Sequence, residues 1–553
     1  MPLSNQINIP RVEEMSNVPA RFEVPDWREI ALGYANLVFD LNAEGEHMPL
    51  VWLDQSHTNY PEDSFGLYVT VADPRCGPDQ ADGTHHDAVG DIAAVIASSL
   101  IDIDMTSYKG QNWVRMCRGY FNKANGRNVF MEFPREFDPA KTGGGYGRDF
   151  WYDVLPSLLA MELGSLYPQE QSLDEPLRVT ADQFLKAAEI MLATPEGFAW
   201  STFDWKAMEP VKNFIPTQDD AAGGFGELLL LAYHRFGDRR YLDAAKRCLE
   251  WLDQCTENPL YDAMLPDGVY AMARMNAEHE TTYDVAKQLN WCFQGGFKCV
   301  GGVRVGMWGD YDISGLAEMR LVDRAYACET FKMAKSLVPM VRYDPRFARA
   351  IGKWMLNAAS NMRLFYPDYL PPEHQMAPEY RDVTRGVIGY EALTTRSMWG
   401  DRPAPFAERD DWRDTYTPSG ELGVWPKAGH YSLYGSSYVG FFGGMIERTS
   451  DERILQLDCL KTDFAHTEAF PTHLLYNPYD SPGPVTLQLG PEQVDLYDAV
   501  QHRFVAKGVN GECTITLEPD AAAVLVRTPA NASLTNIDGA LLANGVMIDP
   551  RPV

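Results

Sequence analysis

The sequence predicts a mainly α chain, six helical hairpins set in a ring, closed by a C-terminal antiparallel β-sandwich. Three observations predict it. Over 215–252, a polar loop carrying Asp219 and Asp220 leads into a run, 225–233, that is apolar on nearly every side, the pattern of a helix buried all round. Beyond Phe236, Gly237 and Asp238, the residues Tyr241, Ala244, Ala245, Cys248, Leu249 and Leu252 fall at helical spacing, with Asp243, Lys246, Arg247 and Glu250 opposite, so the next helix is amphipathic and half exposed. That unit recurs along the chain, and past about residue 470 the texture changes to short β-branched segments separated by Pro, Gly and Asn turns. Buried helices then form an inner ring and amphipathic ones an outer ring. The polar loops before the inner helices converge on one end.

Residues 1–84 read as an N-terminal arm, a helix and an irregular segment packed on the ring. The arm is 1–25; the helix, 26–39, is capped by Asp26; 46–87 mixes strand-like pieces with turns. The first hairpin follows His85, His86 and Asp87, with an inner helix over 88–101 and an outer partner over 113–121. In the second, the string TGGGYGRD from Thr142 opens a helix that starts at Phe150 and ends near Tyr167, and Thr180 is the expected N-cap of an outer helix over 180–192. The third is 215–252. The fourth is read as the loop RMNAEHE, from Arg274 to Glu280, feeding a helix over 283–293. A fifth follows MWGDYDIS from Met307, with helices over 326–341 and 347–365; the sixth has a loop with His430 and Tyr431 before a helix over 436–446. The outer helices of the fourth and sixth units have no clear pattern. The ring is expected to span 85–470 and the β-sandwich 471–553.

Composition narrows the partners. At 553 residues and 45% hydrophobic content the chain can bury a large core, while a net charge of -29 argues against nucleic acid and against an anionic membrane surface, both of which demand clustered Lys and Arg. The same balance weighs against a polyanionic substrate. No apolar run reaches the roughly 18 residues that span a bilayer, and MPLSNQINIPRVEEM has no apolar leader core, so a cytoplasmic location is expected. The nine Cys lack metal spacing and read as reduced core thiols. His85, His86 and Asp87, and likewise Asp463, His466, Glu468 and His473, do not match metal-ligand spacings, so neither a metal nor another cofactor is expected. The oligomeric state is not legible.

The string GGFGEL from Gly223 followed by RFGDRRYLDAAK from Arg235, together with the six loop-helix units, resembles the six-hairpin glycosidases, an (α/α)6 toroid clan in which many members carry a β-sandwich appendage. The resemblance covers about 85–450 and implies a toroid acting on carbohydrate. It carries no family's catalytic residues across, so the site is argued from the loops. Glycoside hydrolysis needs two carboxylates, one to protonate the leaving oxygen and one to activate water or attack the anomeric carbon. Candidate pairs are Asp149 with Asp153, Asp219 with Asp220, Glu278 with Glu280 and Asp310 with Asp312. Asp149, Asp310 and Asp312 stand out because they lie in Gly- and aromatic-rich loops, and Glu278 because Arg274 and Asn276 sit one turn away; these four are the expected catalytic acids. Expected substrate contacts are Trp52, His86, Tyr146, Arg148, Trp151, Asp219, Asp220, Arg274, Asn276, Trp308, His430 and Tyr431, where flat rings can stack on a sugar and polar groups can bind its hydroxyls. The function expected is hydrolysis of a neutral oligo- or polysaccharide, with inversion. Two other readings stay open: a polysaccharide lyase, with Tyr431 as base, His430 as acid and Arg148 or Arg304 neutralising a uronate, and a non-catalytic carbohydrate-binding protein.

Overall fold

The computed structural model describes residues 5–45, 48–67, 87–135, 149–295, 300–319, 324–375, 378, 381–394, 404–406 and 433–550. The arm, with one helical turn α1 (Pro10–Glu13), leads to α2 (Trp27–Val38), where Asp26 accepts the Glu29 amide at 3.0 Å as the sequence predicts. The hairpin β1 (Val51–Asp54) and β2 (Ser64–Leu67) precedes α3 (Ala88–Leu100) and the short α4 (Trp113–Met116). Then come α5 (Phe150–Leu166), α6 (Asp174–Leu192), the ribbon β3 (Thr202–Asp204) and β4 (Glu209–Val211), α7 (Ala221–Phe236), α8 (Arg239–Asp253), α9 (Leu265–Glu278) and α10 (Val285–Gln294). Short strands follow: β5 (Val300–Val303), the hairpin β6 (Met307–Trp308) and β7 (Tyr311–Asp312), β8 (Ala317–Met319) and β9 (Arg324–Tyr326). Helices α11 (Ala327–Tyr343), α12 (Ala348–Asn361) and α13 (Arg381–Thr384) come next, then β10 (Ala392–Thr394) and β11 (Ala404–Phe406), then α14 (Leu433–Ser436) and α15 (Val439–Met445). Strands 5, 8, 9, 10 and 11 form one sheet in the order β11-β10-β9-β8-β5.

Burial sorts the helices into two rings. Helix α7 is buried without a gap from Ala221 to Ala232, whereas α8 buries only one stripe, Tyr241 to Leu252 at helical spacing. Helices α3, α5, α7, α9, α11 and the α14-α15 pair each pack on the next, and α15 returns to α3, so the ring closes. The described helices thus make a six-hairpin (α/α)6 toroid. Its sixth outer helix is α2, which packs on α15 and α3, so the two ends of the helical chain meet to close the outer ring. Helix α15 is rich in glycine because it has to be: a Cβ on Gly440 would lie 2.0 Å from the Ala97 carbonyl oxygen of α3.

Two assignments made from sequence need correction. Helix α6 begins at Asp174, with Asp174, Glu175 and Pro176 in its first turn, and Thr180 is buried within it instead of capping it. In the fourth hairpin the inner helix is α9, so RMNAEHE is that helix's end and not the loop before the next one, and the helix expected over 283–293 is its outer partner α10. The polar residues that disguised α9, Asp267 and Arg274, are fully buried because each has an ionic partner, Lys332 and Asp463 respectively.

Strands begin at Ile446, directly after α15 and earlier than the change of texture near 470. They are β12 (Ile446–Arg448), β13 (Leu455–Asp458), β14 (Thr472–Asn477), β15 (Gly483–Gln488), β16 (Val494–Asp498), β17 (Arg503–Val509), β18 (Glu512–Leu517), β19 (Ala521–Pro529), β20 (Leu534–Ile537), β21 (Ala540–Ala543) and β22 (Val546–Asp549). Six of them form an antiparallel sheet in the order β12-β13-β14-β19-β16-β17. Alternation along its strands sends Leu474, Tyr476, Val524 and Val526 into the toroid's core, and Leu475, Ala523 and Leu525 into a second core covered by the β15-β18 ribbon. The β region therefore caps the helices with one face and keeps a small core of its own on the other.

Candidate active site at the amino ends of the inner helices

Five of the six inner helices carry a carboxylate at or just before their first turn. Asp87 caps α3 by accepting the Gly90 amide at 3.0 Å, and Asp149 caps α5 by accepting the Tyr152 amide at 3.4 Å. Asp220 precedes α7, Asp262 lies just ahead of α9, and Glu329 sits in the first turn of α11. The helix N-terminus favours such a group, because its unpaired amides and the peptide dipoles present partial positive charge there. What is unusual is that four of these acids share one place.

Asp262 registers that convergence. Burial pushes its carboxyl well above the usual carboxylate range, and Glu329, Asp149 and Asp220 push it further, with only Lys332 acting the other way. Its Oδ1 is buried without a hydrogen-bond partner, although the residue as a whole keeps part of its surface exposed. Glu329, 4% exposed, is also raised, chiefly by burial, against the lowering effect of Cys328, a backbone amide and Lys332. Asp220 holds the segment in place: its Oδ2 accepts the amides of Tyr261 at 3.0 Å and of Asp262 at 3.2 Å. Gln218 does the same for α5, accepting the Phe150 amide at 3.0 Å. Beside the acids, Trp151 donates its indole N–H to the Tyr434 hydroxyl at 3.0 Å, and the Lys332 ammonium lies 5.8 Å from the Trp151 ring centre.

Beneath this cluster, inside the ring, the charges are paired. Lys332 binds the Ala263 carbonyl oxygen at 2.6 Å and Asp267; Lys335 contacts Glu162, Asp267 at 3.1 Å and Glu227 at 3.7 Å. Burial works to raise Asp267, but Lys332 and Lys335 outweigh it and hold the group below its ordinary value. Burial raises Glu227 well above its own, and Lys335 offsets that only in part. The network fixes the segment around Ala263, and with it Asp262.

The structure brings Asp149, Asp220 and Trp151 together from the residues expected by sequence, and it separates others. Glu278 ends α9, so it lies about 20 Å, the length of that helix, from the acids at its start. There Arg274 donates to Glu278 at 3.0 Å and to the carbonyl oxygens of Phe464 and Ala465, while Asn276 binds Tyr283 and Thr281. Asp310 is exposed at the turn of the β6-β7 hairpin, and Asp312 accepts the amides of Ala20 at 3.1 Å and Ser314 at 2.9 Å, pinning the N-terminal arm. Trp308 is buried against Tyr311 in the same hairpin, and Trp52 lies across Gly66 in the β1-β2 pair. Asp153 is buried and takes the Thr202 hydroxyl, a link between α5 and the β3-β4 ribbon. Asp219 is half-buried beside Asp220. Arg304 pairs with Glu318 at 3.6 Å. His86, Tyr146, Arg148, His430 and Tyr431 lie outside the described residues.

Sequence reasoning missed Asp262, Glu329 and Lys332. A signal for Asp262 exists: Pro266 falls in the first turn of α9, a position that suits proline, which would have placed Asp262 in a loop entering an inner helix.

The fold and site thus define a toroid with buried acids gathered at the amino ends of its inner helices. No protein-family model matches the chain, and no curated protein matches its sequence. Similar solved structures include a family 76 glycoside hydrolase from a bovine Bacteroides thetaiotaomicron strain, at 11% identity over 61% of this chain and 76% of that one, TM-score 0.34. A GH127 β-L-arabinofuranosidase from Geobacillus stearothermophilus T6 aligns at 10% identity over 95% of this chain and 85% of that one, TM-score 0.34. A further GH127 β-arabinofuranosidase aligns at 10% identity over 98% and 86%, TM-score 0.36. Among the described residues, no helix is long and apolar enough to cross a membrane.

Proposed function

We propose that the protein is a glycoside hydrolase acting on a neutral glycan at the mouth formed by the amino ends of the inner helices. One observation carries this reading: burial raises Asp262, and Glu329, Asp149 and Asp220, from three other hairpins, all act on it and raise it further, while Asp220 holds the backbone at Asp262 through two amide hydrogen bonds. A carboxyl kept protonated beside carboxylates that face the opposite demand is the arrangement that acid/base glycoside cleavage requires. Asp262 is the general acid, donating its proton to the leaving oxygen. Asp149, at the positive end of α5 where a carboxylate is electrostatically favoured, is the general base, and Asp220 positions Asp262 through its backbone. Trp151 offers the aromatic edge of a sugar subsite. Inversion is the stereochemical course we assign, since Asp149 and Asp262 come from helices separated by α7, which suits the wider spacing, about 6.5–9.5 Å, that leaves room for a water.

The test is a panel of neutral aryl glycosides and oligosaccharides with the wild type, Asp262→Asn and Asp149→Asn. Each amide should cost on the order of 10²-fold or more in turnover without loss of fold. Near-normal activity in both variants would refute the site. A first-formed product with retained anomeric configuration in proton NMR would refute inversion alone.

A further inference from the structure

A second cluster lies at the opposite end of the toroid, where α7 and α9 finish beneath the β region. His234 stands in the last turn of α7. Glu278 is the last residue of α9, and His279 follows it with φ -136° and ψ 24°, outside the helical range, so the chain leaves the helix at His279. Consecutive residues on a helix point about 100° apart; leaving the helix is what allows Glu278 and His279 to face the same point. Their donor atoms and that of His234 all lie within 4.8 Å of one another, with His234 Nε2 and Glu278 Oε2 at 3.6 Å.

The polar accounting of these side chains does not close. His234 Nε2, His279 Nε2 and Glu278 Oε1 are each buried with no hydrogen-bond partner. One such atom is tolerable in a folded protein; three on side chains whose donor atoms meet within 4.8 Å call for a common occupant. They line a cavity of about 530 Å³ walled on its other side by Thr467, Glu468 and Met547. Lys246, Arg274 and Arg239 are the charges that argue against a cation here, and Arg274 is the one hydrogen-bonded to Glu278. It is engaged, however, with Glu278 Oε2 at 3.0 Å, with the Tyr270 hydroxyl at 3.1 Å and with two backbone oxygens, and Asp463 stands 3.9 Å away as a counter-charge. Glu278 Oε1 stays available. The carboxyl ends of α7 and α9 add partial negative charge on the same side.

We propose that His234, Glu278 and His279 form a metal site for a divalent transition ion of the zinc class, with a fourth position open to the cavity. Two imidazoles and one carboxylate are a known zinc donor set. Ligands bonded at about 2.0–2.2 Å to a tetrahedral ion stand roughly 3.3–3.5 Å apart, so three donor atoms that already lie within 4.8 Å of one another need to contract by no more than about 1.5 Å, with Glu278 Oε1 turned to the ion while Oε2 keeps Arg274. The hydrogen bond from Arg274 orients the carboxylate, the task that outer partners perform at such sites. A bound ion would clamp the ends of two inner hairpins under the β region, at the far end of the toroid from the acids.

The experiment uses tag-free full-length protein, stripped with EDTA and dialysed, titrated with Zn²⁺ alone by calorimetry and with Co²⁺ alone by visible absorption. One equivalent of Zn²⁺ should bind the wild type and raise its melting temperature, and Co²⁺ should develop the intense visible bands of a low-coordinate ion. His234→Ala, His279→Ala and Glu278→Gln should each weaken Zn²⁺ at least about tenfold, with metal-free melting close to wild type in the two histidine variants. No binding by the wild type, only the pale spectrum of six-coordinate Co²⁺, or undiminished binding by the His234→Ala/His279→Ala double variant would overturn the proposal. The cobalt spectrum is read on wild-type protein, so it decides the matter even if a variant fails to fold.

Discussion

Replacing Lys335 by Met removes the cation on which three buried carboxylates depend. Lys335 is 2% exposed and contacts Glu162, Asp267 at 3.1 Å and Glu227 at 3.7 Å, all fully or almost fully buried. Methionine fills most of the volume, so the loss is electrostatic. Breaking a buried ion pair by deleting one partner costs about 3–5 kcal/mol, because the abandoned charge keeps its desolvation penalty. The sign with pH follows from the shifts. Asp267 is held below its ordinary value by Lys332 and Lys335, so in the wild type it contributes stability that is present above the unfolded carboxylate range and lost as pH falls through the folded value. Glu227 is raised, chiefly by burial, so its folded form binds more protons than its unfolded form and stability declines as pH rises toward that raised value. Without Lys335 all three carboxylates move in the direction of Glu227. The destabilisation should therefore be largest near pH 8 and shrink near pH 5, where the acids take up protons. Denaturant midpoints followed by tryptophan fluorescence at the two pH values measure it. A loss below about 1 kcal/mol, or the same loss at both, would refute the claim that Lys335 is the hub. Glu227→Gln is the control, an isosteric neutral group where a raised carboxyl sits, and should be neutral or stabilising.

Gly223→Ala puts a methyl 2.9 Å from the Gly268 Cα and the Met264 carbonyl oxygen, backbone atoms that cannot turn aside, so it should cost about 1–3 kcal/mol in a denaturation curve by separating α7 from α9. Asp220→Ala deletes the acceptor of two amides, at about 1.5–3 kcal/mol for each bond to a charged group, and should lower turnover along with stability, with Asp220→Asn recovering part of both. Turnover should fall as pH rises through the raised value of Asp262, since the acid must hold its proton; a rate profile flat on its alkaline side would contradict that assignment. Asp312→Ala should loosen the N-terminal arm, seen as faster proteolysis near Ala20, and leave turnover nearly unchanged.

The ring was legible where burial and sequence pattern agree. Helix α7 is apolar on every side because it is enclosed on every side, and α8 is amphipathic because one face meets solvent, so both are visible in the order of residues. Helix α9 breaks that rule. Its buried face includes Asp267 and Arg274; besides the local partner Glu278 of Arg274, their partners Lys332 and Asp463 come from segments far along the chain, and no local pattern announces those pairs. Reading its end as a loop then promoted Glu278 to the mouth. The sixth outer helix was illegible for a related reason: α2 takes that place from the other end of the sequence. Acidic loops were found where a Gly-rich string drew attention, as at Asp149. Asp262 and Glu329 sit in ordinary surroundings, PLYDAM and YACETF, and acquire their meaning only when the ring brings them side by side.

That ring also explains why the two ends of the molecule carry opposite chemistry. Because the inner helices run parallel, their amino ends gather at one mouth and their carboxyl ends at the other, and the partial charges of the helix ends add in the same sense at each. At the amino end, Asp149, Asp220 and Glu329, each at the start of its own helix, gather around Asp262. Helix ends alone would leave every one of them ionised. Burial supplies an opposing push, which raises Glu329 as well, and at Asp262 the repulsion of three neighbouring acids adds to it. At the carboxyl end the sorting reverses: His234 and Arg342 lie in the last turns of α7 and α11, and Arg274 stands one turn before the end of α9. Asp463 from the β region meets Arg342 at 2.6 Å and Arg274 at 3.9 Å, so the same polarity that concentrates acids at the mouth provides the cations against which the β region docks. Asp463→Asn tests that link: it should weaken the contact between the β region and the helices, detected as earlier exposure of the segment around Phe464 to hydrogen exchange. If that segment stayed protected as in the wild type, the charge sorting would not be what holds the two parts together.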